Sequence, residues 1–386
     1  MRARSPHIYL VAAEASGDAL GAELAAALHA QADEIALSGV GGARMAGQGV
    51  ESLFDISDLS VLGFIEGIKA YPRVVRRADE TAEDIVRAAP DAVVLIDSWG
   101  FTLRVAQRVR KRAPHIKLVK YVGPQVWATR PGRARTLADA VDHLLTIHPF
   151  DAPLFEDEGL KTSFVGNPAL WRGSDSGDGT SFRVTHGLAP DDPVLMILFG
   201  SRSAEIERLF EPFEAAAASL VAQQPGLRLI VPVADSIRPL LKPRLAGSPA
   251  LSGAIVVGEN DRYDAFAAAD AAIACSGTVT SELALAGVPA VVGYRLSPLT
   301  HFIAKRLMQA PYISLVNIAA NEELMPEFVQ DECTGEALCA AARDLLGNDA
   351  LRNEKRRLLR QTALEMKGDG APPSETAARI ILELIA

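Results

Sequence analysis

Residues 275–289 read Cys-Ser-Gly-Thr-Val-Thr-Ser-Glu-Leu-Ala-Leu-Ala-Gly-Val-Pro. The apolar stretch 271–274 runs into Ser276, Gly277 and Thr278, and a helical pattern follows. Such a junction suits an anion. Gly277 lets a ligand approach the backbone, and the Ser276 and Thr278 hydroxyls can donate. The unpaired N–H groups of a helix start add partial positive charge. Glu282 stands one turn in, where a carboxylate can accept hydrogen bonds from sugar hydroxyls. A diphosphate carrying a ribose fits this arrangement. Read alone, so does an ordinary capped helix. A second loop of the same kind holds Gly200, Ser201 and Arg202. Gly200 permits close approach, Ser201 can donate, and Arg202 can bind phosphate oxygens bidentately. Two such loops in one half are more specific than either alone. Tyr294 and Arg295 follow a further strand, and Asn317 is a candidate for a sugar or phosphate contact or simply a turn residue.

The first half offers carboxylates instead. Asp97 closes the apolar run 92–96 and precedes Ser98-Trp99-Gly100-Phe101. A carboxylate at the C-terminal end of a parallel strand lies where α/β proteins bind ligands. Trp99 and Phe101 would partly desolvate it, which suits a general base. Glu14, Ser16, Gly17 and Asp18 leave the first strand and enter the first helix, without the G-x-G-x-x-G of a dinucleotide site. Trp127 offers an apolar wall after Gly123-Pro124. Leu62, Phe64, Ile65 and Ile68 form an apolar patch that Lys69, Arg73, Arg76 and Arg77 follow, a pattern that suits a membrane interface or an acyl chain. The seven histidines are scattered, with no H-E-x-x-H and no paired carboxylates of metal-binding spacing. No metal site and no cofactor is expected, so Arg202 and helix dipoles would have to neutralise a diphosphate. No G-x-S-x-G elbow is present.

The elements that must position these groups alternate along the whole chain. Strand-like runs fall at 8–13, 35–40, 92–96, 117–121, 143–147 and 162–165, then at 194–199, 228–233, 254–257, 271–274 and 290–293. Helical patterns lie between them, for example at 19–29, 73–89 and 103–112. β-Branched runs separated by helices predict parallel sheets covered on both faces. Two such series predict two Rossmann-like domains, at 1–170 and 182–348. The Gly/Ser/Asp-rich stretch 171–181 reads as a linker. Residues 349–386 read as C-terminal helices that can pack back on the first domain.

The 386 residues carry a net charge of −9, which argues against nucleic-acid binding. Between Ser98 and Ala138 the balance reverses: ten basic residues and no acidic one, an attraction for an anionic substrate or lipid surface. Cys275, Cys333 and Cys339 show no paired spacing and read as reduced thiols of a cytoplasmic protein. No apolar run is long enough to span a bilayer.

Taken together in order, these stretches resemble the lipid A disaccharide synthase family, inverting glycosyltransferases of the GT-B fold. The resemblance runs over roughly residues 8–334. It is carried by Ala13-Glu14-Ala15-Ser16-Gly17-Asp18, Gly39-Val40-Gly41-Gly42, Leu62-Gly63-Phe64-Ile65-Glu66, Ile96-Asp97, Val126-Trp127-Ala128, Gly200-Ser201-Arg202, Ser276-Gly277-Thr278 with Glu282, Gly293-Tyr294-Arg295 and Ser314-Leu315 with Asn317. It implies an α/β fold of two Rossmann-like domains whose parallel sheets face a cleft. It implies UDP-2,3-diacylglucosamine as donor, 2,3-diacylglucosamine 1-phosphate as acceptor, and a β-1,6 disaccharide plus UDP as products.

By the same resemblance Asp97 is the base, with Glu14 as the competing candidate. Gly200, Ser201, Arg202, Ser276, Gly277, Thr278, Glu282, Tyr294, Arg295 and Asn317 fall on the donor side. Glu14, Ser16, Gly17, Asp18 and Trp127 fall on the acceptor side. Leu62, Phe64, Ile65 and Ile68 would touch the anionic inner face of the inner membrane, where the protein would sit peripherally. A homodimer is compatible with this picture. The chain departs from the family pattern at Gly100 and Thr102, where an acidic residue and an Asn are usual. It also departs at Asn167, Phe199, Val316 and Thr129. The rival expectations are a UDP-sugar 2-epimerase on the same fold and a UDP-sugar-binding paralogue with another acceptor or without catalysis.

Overall fold

A computed structural model describes residues 5–59, 64–297, 300–302, 306, 308, 310–368 and 370–386, with backbone only over 64–70. The chain divides into two compact units. The first comprises Met1–Pro168 with Gly368–Ala386, and the second Ala169–Lys367.

Unit 1 is built on six parallel strands: β1 (His7–Ala12), β2 (Ala36–Val40), β3 (Ala92–Ile96), β4 (Lys117–Tyr121), β5 (His143–Thr146) and β6 (Lys161–Phe164). Their order across the sheet is β2-β1-β3-β4-β5-β6. The apolar runs form strands because both faces are covered. Tyr9, Val93 and Leu118 pack on one face and Leu10, Val94 and Val119 on the other. The helices Phe64–Ala88 and Trp99–Arg112 cover the first face, and Ala15–Gln31 covers the second. The C-terminal helix Pro373–Ile385 also joins that second face, where Ala377, Ala378 and Ile381 are fully buried with Leu24 and Leu28.

Unit 2 repeats the plan with β7 (Val194–Leu198), β8 (Arg228–Pro232), β9 (Ile255–Val257), β10 (Ala271–Cys275), β11 (Ala290–Tyr294) and β12 (Glu327–Val329). The order is β12-β11-β10-β7-β8-β9, and the recorded pairings are parallel. The edge strand β12 was not anticipated. Its three residues, Glu-Phe-Val, are too few to show a pattern. The stretch 171–181 is not a free linker but is packed onto unit 2. The Asp178 N–H donates to Asp264 Oδ1 at 2.7 Å, and Gly177 lies so close to the Tyr263 carbonyl that a Cβ would collide with it. Trp171, the first residue of the stretch, donates from Nε1 to the Lys367 carbonyl at 2.9 Å. The helix Asp349–Lys367 likewise belongs to unit 2, so only the last helix returns to unit 1.

The strand orders carry the functional consequence. In unit 1 the chain proceeds one way from β1 to β2 and the other way from β3 onward, so the crossover directions diverge between β1 and β3. In unit 2 they diverge between β7 and β10. Ligands of open α/β sheets bind beyond the carboxyl ends of strands at such divergence points. Glu14 follows β1 and Asp97 follows β3; Gly200 follows β7 and Ser276 follows β10.

Candidate active site

In unit 2 the two Gly/Ser loops come together. A cavity of about 330 Å³ is lined by Gly200, Ser201 and Arg202 from one side and Ser276, Gly277 and Thr278 from the other, with Glu282 at its wall. Gly200 sits at φ +98°, a left-handed value that favours glycine. The turn is held from within. Glu205 is buried, and its carboxylate accepts from the Ser201 N–H at 2.9 Å, the Arg202 N–H at 3.2 Å and the Arg202 guanidinium at 2.7 Å. That pairing holds the guanidinium above its ordinary pKa. Arg202 otherwise projects outward, its side chain 77% exposed.

Across the cavity the helix Thr278–Ala286 begins at Gly277. Gly277 has an extended backbone, and a Cβ there would meet nothing within 4 Å. The space is open for a ligand. The Ser276 hydroxyl donates to the Ile313 carbonyl at 3.1 Å. Glu282 is buried, and its Oε1 accepts from the Arg262 guanidinium at 2.9 Å and the Tyr263 hydroxyl at 3.3 Å. Desolvation raises its pKa against the pull of Arg262, Arg172 and the Tyr263 hydrogen bond.

Two cavity arginines, Arg172 and Arg262, were not anticipated. Arg172 lies inside the stretch 171–181 that reads as a linker, and Arg262 in a helix with no Gly-rich signal. Three guanidiniums around one cavity suit a polyanion.

Three donor-side expectations are corrected. The Asn317 amide is fully buried and saturated: Nδ2 donates to the Met325 carbonyl and Glu327 Oε1, and Oδ1 accepts from the Leu324 and Met325 N–H groups. An amide offers two donors and one oxygen, so nothing remains for a ligand. Arg295 donates to the Gln330 and Cys333 carbonyls and ties β11 to that segment. Tyr294 is half-buried and does not line the cavity. Cys275, Cys333 and Cys339 are buried and free.

In unit 1, β1 and β3 pair with Ala12 beside Ile96, which sets the two following turns side by side. Glu14 is exposed, Asp97 half-buried, and the Ser98 hydroxyl donates to Glu14 Oε1 at 3.3 Å. Asp97 and Ser98 both adopt left-handed backbones, at φ +46° and +39°. Strain of this kind costs on the order of 1–3 kcal/mol per residue and gathers at functional sites. Phe101 does not shield Asp97 as expected. It turns into the core, edge-on to Phe54 with centroids 6.4 Å apart. Trp99 is half-buried, with the Arg133 guanidinium 5.2 Å from its ring centroid.

Asp18 is corrected as well. Its carboxylate accepts from the Gly42, Arg44 and Met45 N–H groups at 2.7, 3.0 and 3.0 Å, so it fixes the turn after β2 rather than a ligand. Gly17 is buried beneath it, and Ser16 is exposed at the helix start. Trp127 packs edge-on to Phe150, with its Nε1 buried. Beside Phe150 lie His148 and Asp151, two buried groups that sequence reading passed over.

The basic segment is also quieter than its composition suggests. Arg108 and Arg112 pair with Asp79, Arg110 with Asp142 and Arg135 with Glu158, while Lys120 is buried. Leu62 lies outside the described residues, as do the side chains of Phe64, Ile65 and Ile68. No described helix is long and apolar enough to cross a membrane, and no three described His, Cys, Asp or Glu cluster as a metal site.

Residues 8–381 match the family model described as lipid-A-disaccharide synthetase. The chain is 42% identical to the lipid-A-disaccharide synthase of Rhodospirillum centenum, over 98% of this chain and 94% of that protein. It is 41% identical to that of Paramagnetospirillum magneticum, over 98% and 97%. Among solved structures it is similar to a UDP-GlcNAc 2-epimerase from Neisseria meningitidis bound to UDP-GlcNAc (TM-score 0.59, 10% identity, 98% and 99% covered). It is similar too to a glycosyltransferase from Rickettsia africae (TM-score 0.59, 11% identity, 99% and 98% covered). At these identities the structural likeness speaks for the GT-B fold alone.

Proposed function

The chain belongs to the lipid-A-disaccharide synthetase family and is a glycosyltransferase of the GT-B fold, and from that premise we propose its reaction in detail. It transfers 2,3-diacylglucosamine from a UDP donor to 2,3-diacylglucosamine 1-phosphate, with inversion and without a metal, giving a β-1,6 disaccharide 1-phosphate and UDP. The observation that supports this most is the meeting of the Gly200 and Ser276 loops in one cavity at the divergence point of a parallel sheet.

The cavity holds the UDP. Arg202 and the start of the helix Thr278–Ala286 receive the charge that grows on the departing diphosphate. Glu282, held by Arg262, accepts hydroxyl hydrogens of the donor. Asp97 takes the proton of the acceptor 6-hydroxyl as that oxygen attacks the anomeric carbon and the bond to UDP breaks. Arg130 and Arg133 receive the acceptor phosphate, since Arg108, Arg110, Arg112 and Arg135 are held by carboxylates of unit 1 and Arg104 donates to the Gly100 carbonyl. The patch at Leu62, Phe64, Ile65 and Ile68 meets the acyl chains at the inner face of the inner membrane.

The test is purified protein with both acylated substrates, in detergent with EDTA, following UDP and disaccharide by mass spectrometry. Disaccharide that vanishes with Asp97→Ala supports the reading. UDP binding without product under any divalent metal would instead assign another acceptor or a binding role.

A further inference from the structure

Lys120 lies on β4 beside Leu95 of β3 and is 2% exposed. Burying an ammonium is costly unless something offsets it. Burial pushes this one down to about 7, with the Asp97 charge pulling the other way. Among the described residues, Asp97 is the charged group set against it. Lys120 Nζ donates to the Asp97 backbone carbonyl and, at 2.8 Å, to Thr102 Oγ1. Thr102 Oγ1 in turn lies 2.8 Å from the Asp97 carbonyl and 3.0 Å from that of Ser98. The two carbonyls held in this way belong to the two-residue left-handed turn. An apolar residue at 120 would fill the core at no desolvation cost, but it would leave the Asp97 carbonyl without its ammonium donor.

We propose that Lys120 is a positioning residue for the transfer reaction: through the Asp97 carbonyl and the Thr102 hydroxyl it holds the strained turn that aims the Asp97 carboxylate. This rests on the reading of Asp97 as the base. Lys120 touches no substrate in this role. It acts on the direction of the carboxylate and on the charge behind it.

The test compares kcat, both KM values and the pH profile of kcat/KM for the full-length protein and for Lys120→Met, Thr102→Val and Asp97→Asn. Misplacement of a reacting group by an ångström costs about 100-fold in rate, and Lys120→Met is expected to lose kcat on that scale. Both KM values should stay within about threefold, because binding groups are untouched. Any limb of kcat/KM that follows loss of the Lys120 proton, held down to about 7 by burial, should be absent from Lys120→Met. A Lys120→Met protein with kcat within about twofold of wild type, or with its loss confined to KM, overturns the proposal. If Lys120→Met shows no cooperative melt, Thr102→Val decides: a kcat loss of about tenfold supports the role, and an unchanged kcat sinks it. An inactive Asp97→Asn beside an unaffected Lys120→Met removes the positioning role alone. An Asp97→Asn protein with wild-type kcat removes the base assignment and the positioning role together.

Discussion

The Ser98 hydroxyl donates to Glu14 Oε1 at 3.3 Å, tying the turn after β3 to the turn after β1. Two carboxylates are thereby gathered at one divergence point, Asp97 half-buried and Glu14 exposed. The more enclosed one, on the strained turn, is the better placed for proton abstraction. Removing a positioned general base costs about 10²–10⁴ in rate. Asp97→Asn should fall in that range, and Glu14→Gln should lose no more than about tenfold. Steady-state kinetics of the two variants side by side decides it. The reverse ranking would transfer the base to Glu14.

Gly277 is open on its Cβ side and extended in backbone. A side chain there meets only the space a ligand would take. Gly277→Val should melt within about 2 °C of wild type, as surface substitutions do. Its UDP affinity by titration calorimetry should drop by at least about tenfold, equal to 1.4 kcal/mol. Unchanged UDP binding would move the nucleotide out of this cavity.

Asn317 makes the opposite case. Its amide joins four hydrogen bonds in a fully buried place. Asn317→Ala should destabilise unit 2 by about 2–4 kcal/mol, through stranded backbone groups. A thermal melt reads this directly. A variant with normal melting but lost UDP affinity would restore Asn317 as a ligand residue.

Burial shifts His148 and Asp151 in opposite directions. Burial lowers the His148 imidazole from its ordinary 6.5 to about 4, and raises the Asp151 carboxyl from 3.8 to about 7. The His148 contribution is present above pH 6.5 and is lost as pH falls through about 4. The Asp151 contribution is present below pH 3.8 and is lost as pH rises through about 7. Between pH 4 and 6.5 the two slopes oppose, so their joint contribution to stability is nearly flat there. Asp151→Asn should unmask a stability that rises with pH across this window. His148→Phe should unmask one that falls. Urea melts at pH 4.5, 5.5 and 6.5 read the slopes. Parallel pH profiles in the two variants would refute the burial argument.

The strands were legible because Val, Ile and Leu cluster in runs covered on both faces, and β3 and β4 fall on the expected residues. The order of strands was not, because nothing local says on which side a crossover helix lands. The divergence points therefore became visible only in the fold. Loops such as Gly200 to Arg202 and Ser276 to Thr278 were legible because glycine and hydroxyl residues after a strand have few purely local uses. Asp18, Arg295 and Asn317 misled for a physical reason. A polar side chain that anchors a distant backbone segment has the same local signature as one that holds a ligand. Arg172, Arg262 and Lys120 stayed hidden because their partners lie far along the chain, at Glu282, Asp97 and Thr102.

The return of the last helix to unit 1 sets an order of events during synthesis. Unit 2 is continuous from Ala169 to Lys367 and is complete before the ribosome finishes. Unit 1 begins first but waits for Pro373–Ile385, whose Ala377, Ala378 and Ile381 cover Leu24 and Leu28 and whose Glu375 carbonyl accepts from Gln31 Nε2 at 2.9 Å. Until residues 373–385 are made, the nascent chain carries that apolar helix face uncovered. A stop codon a few residues after Gly368 would release a protein with an intact second unit and a first unit open to chaperones and proteases.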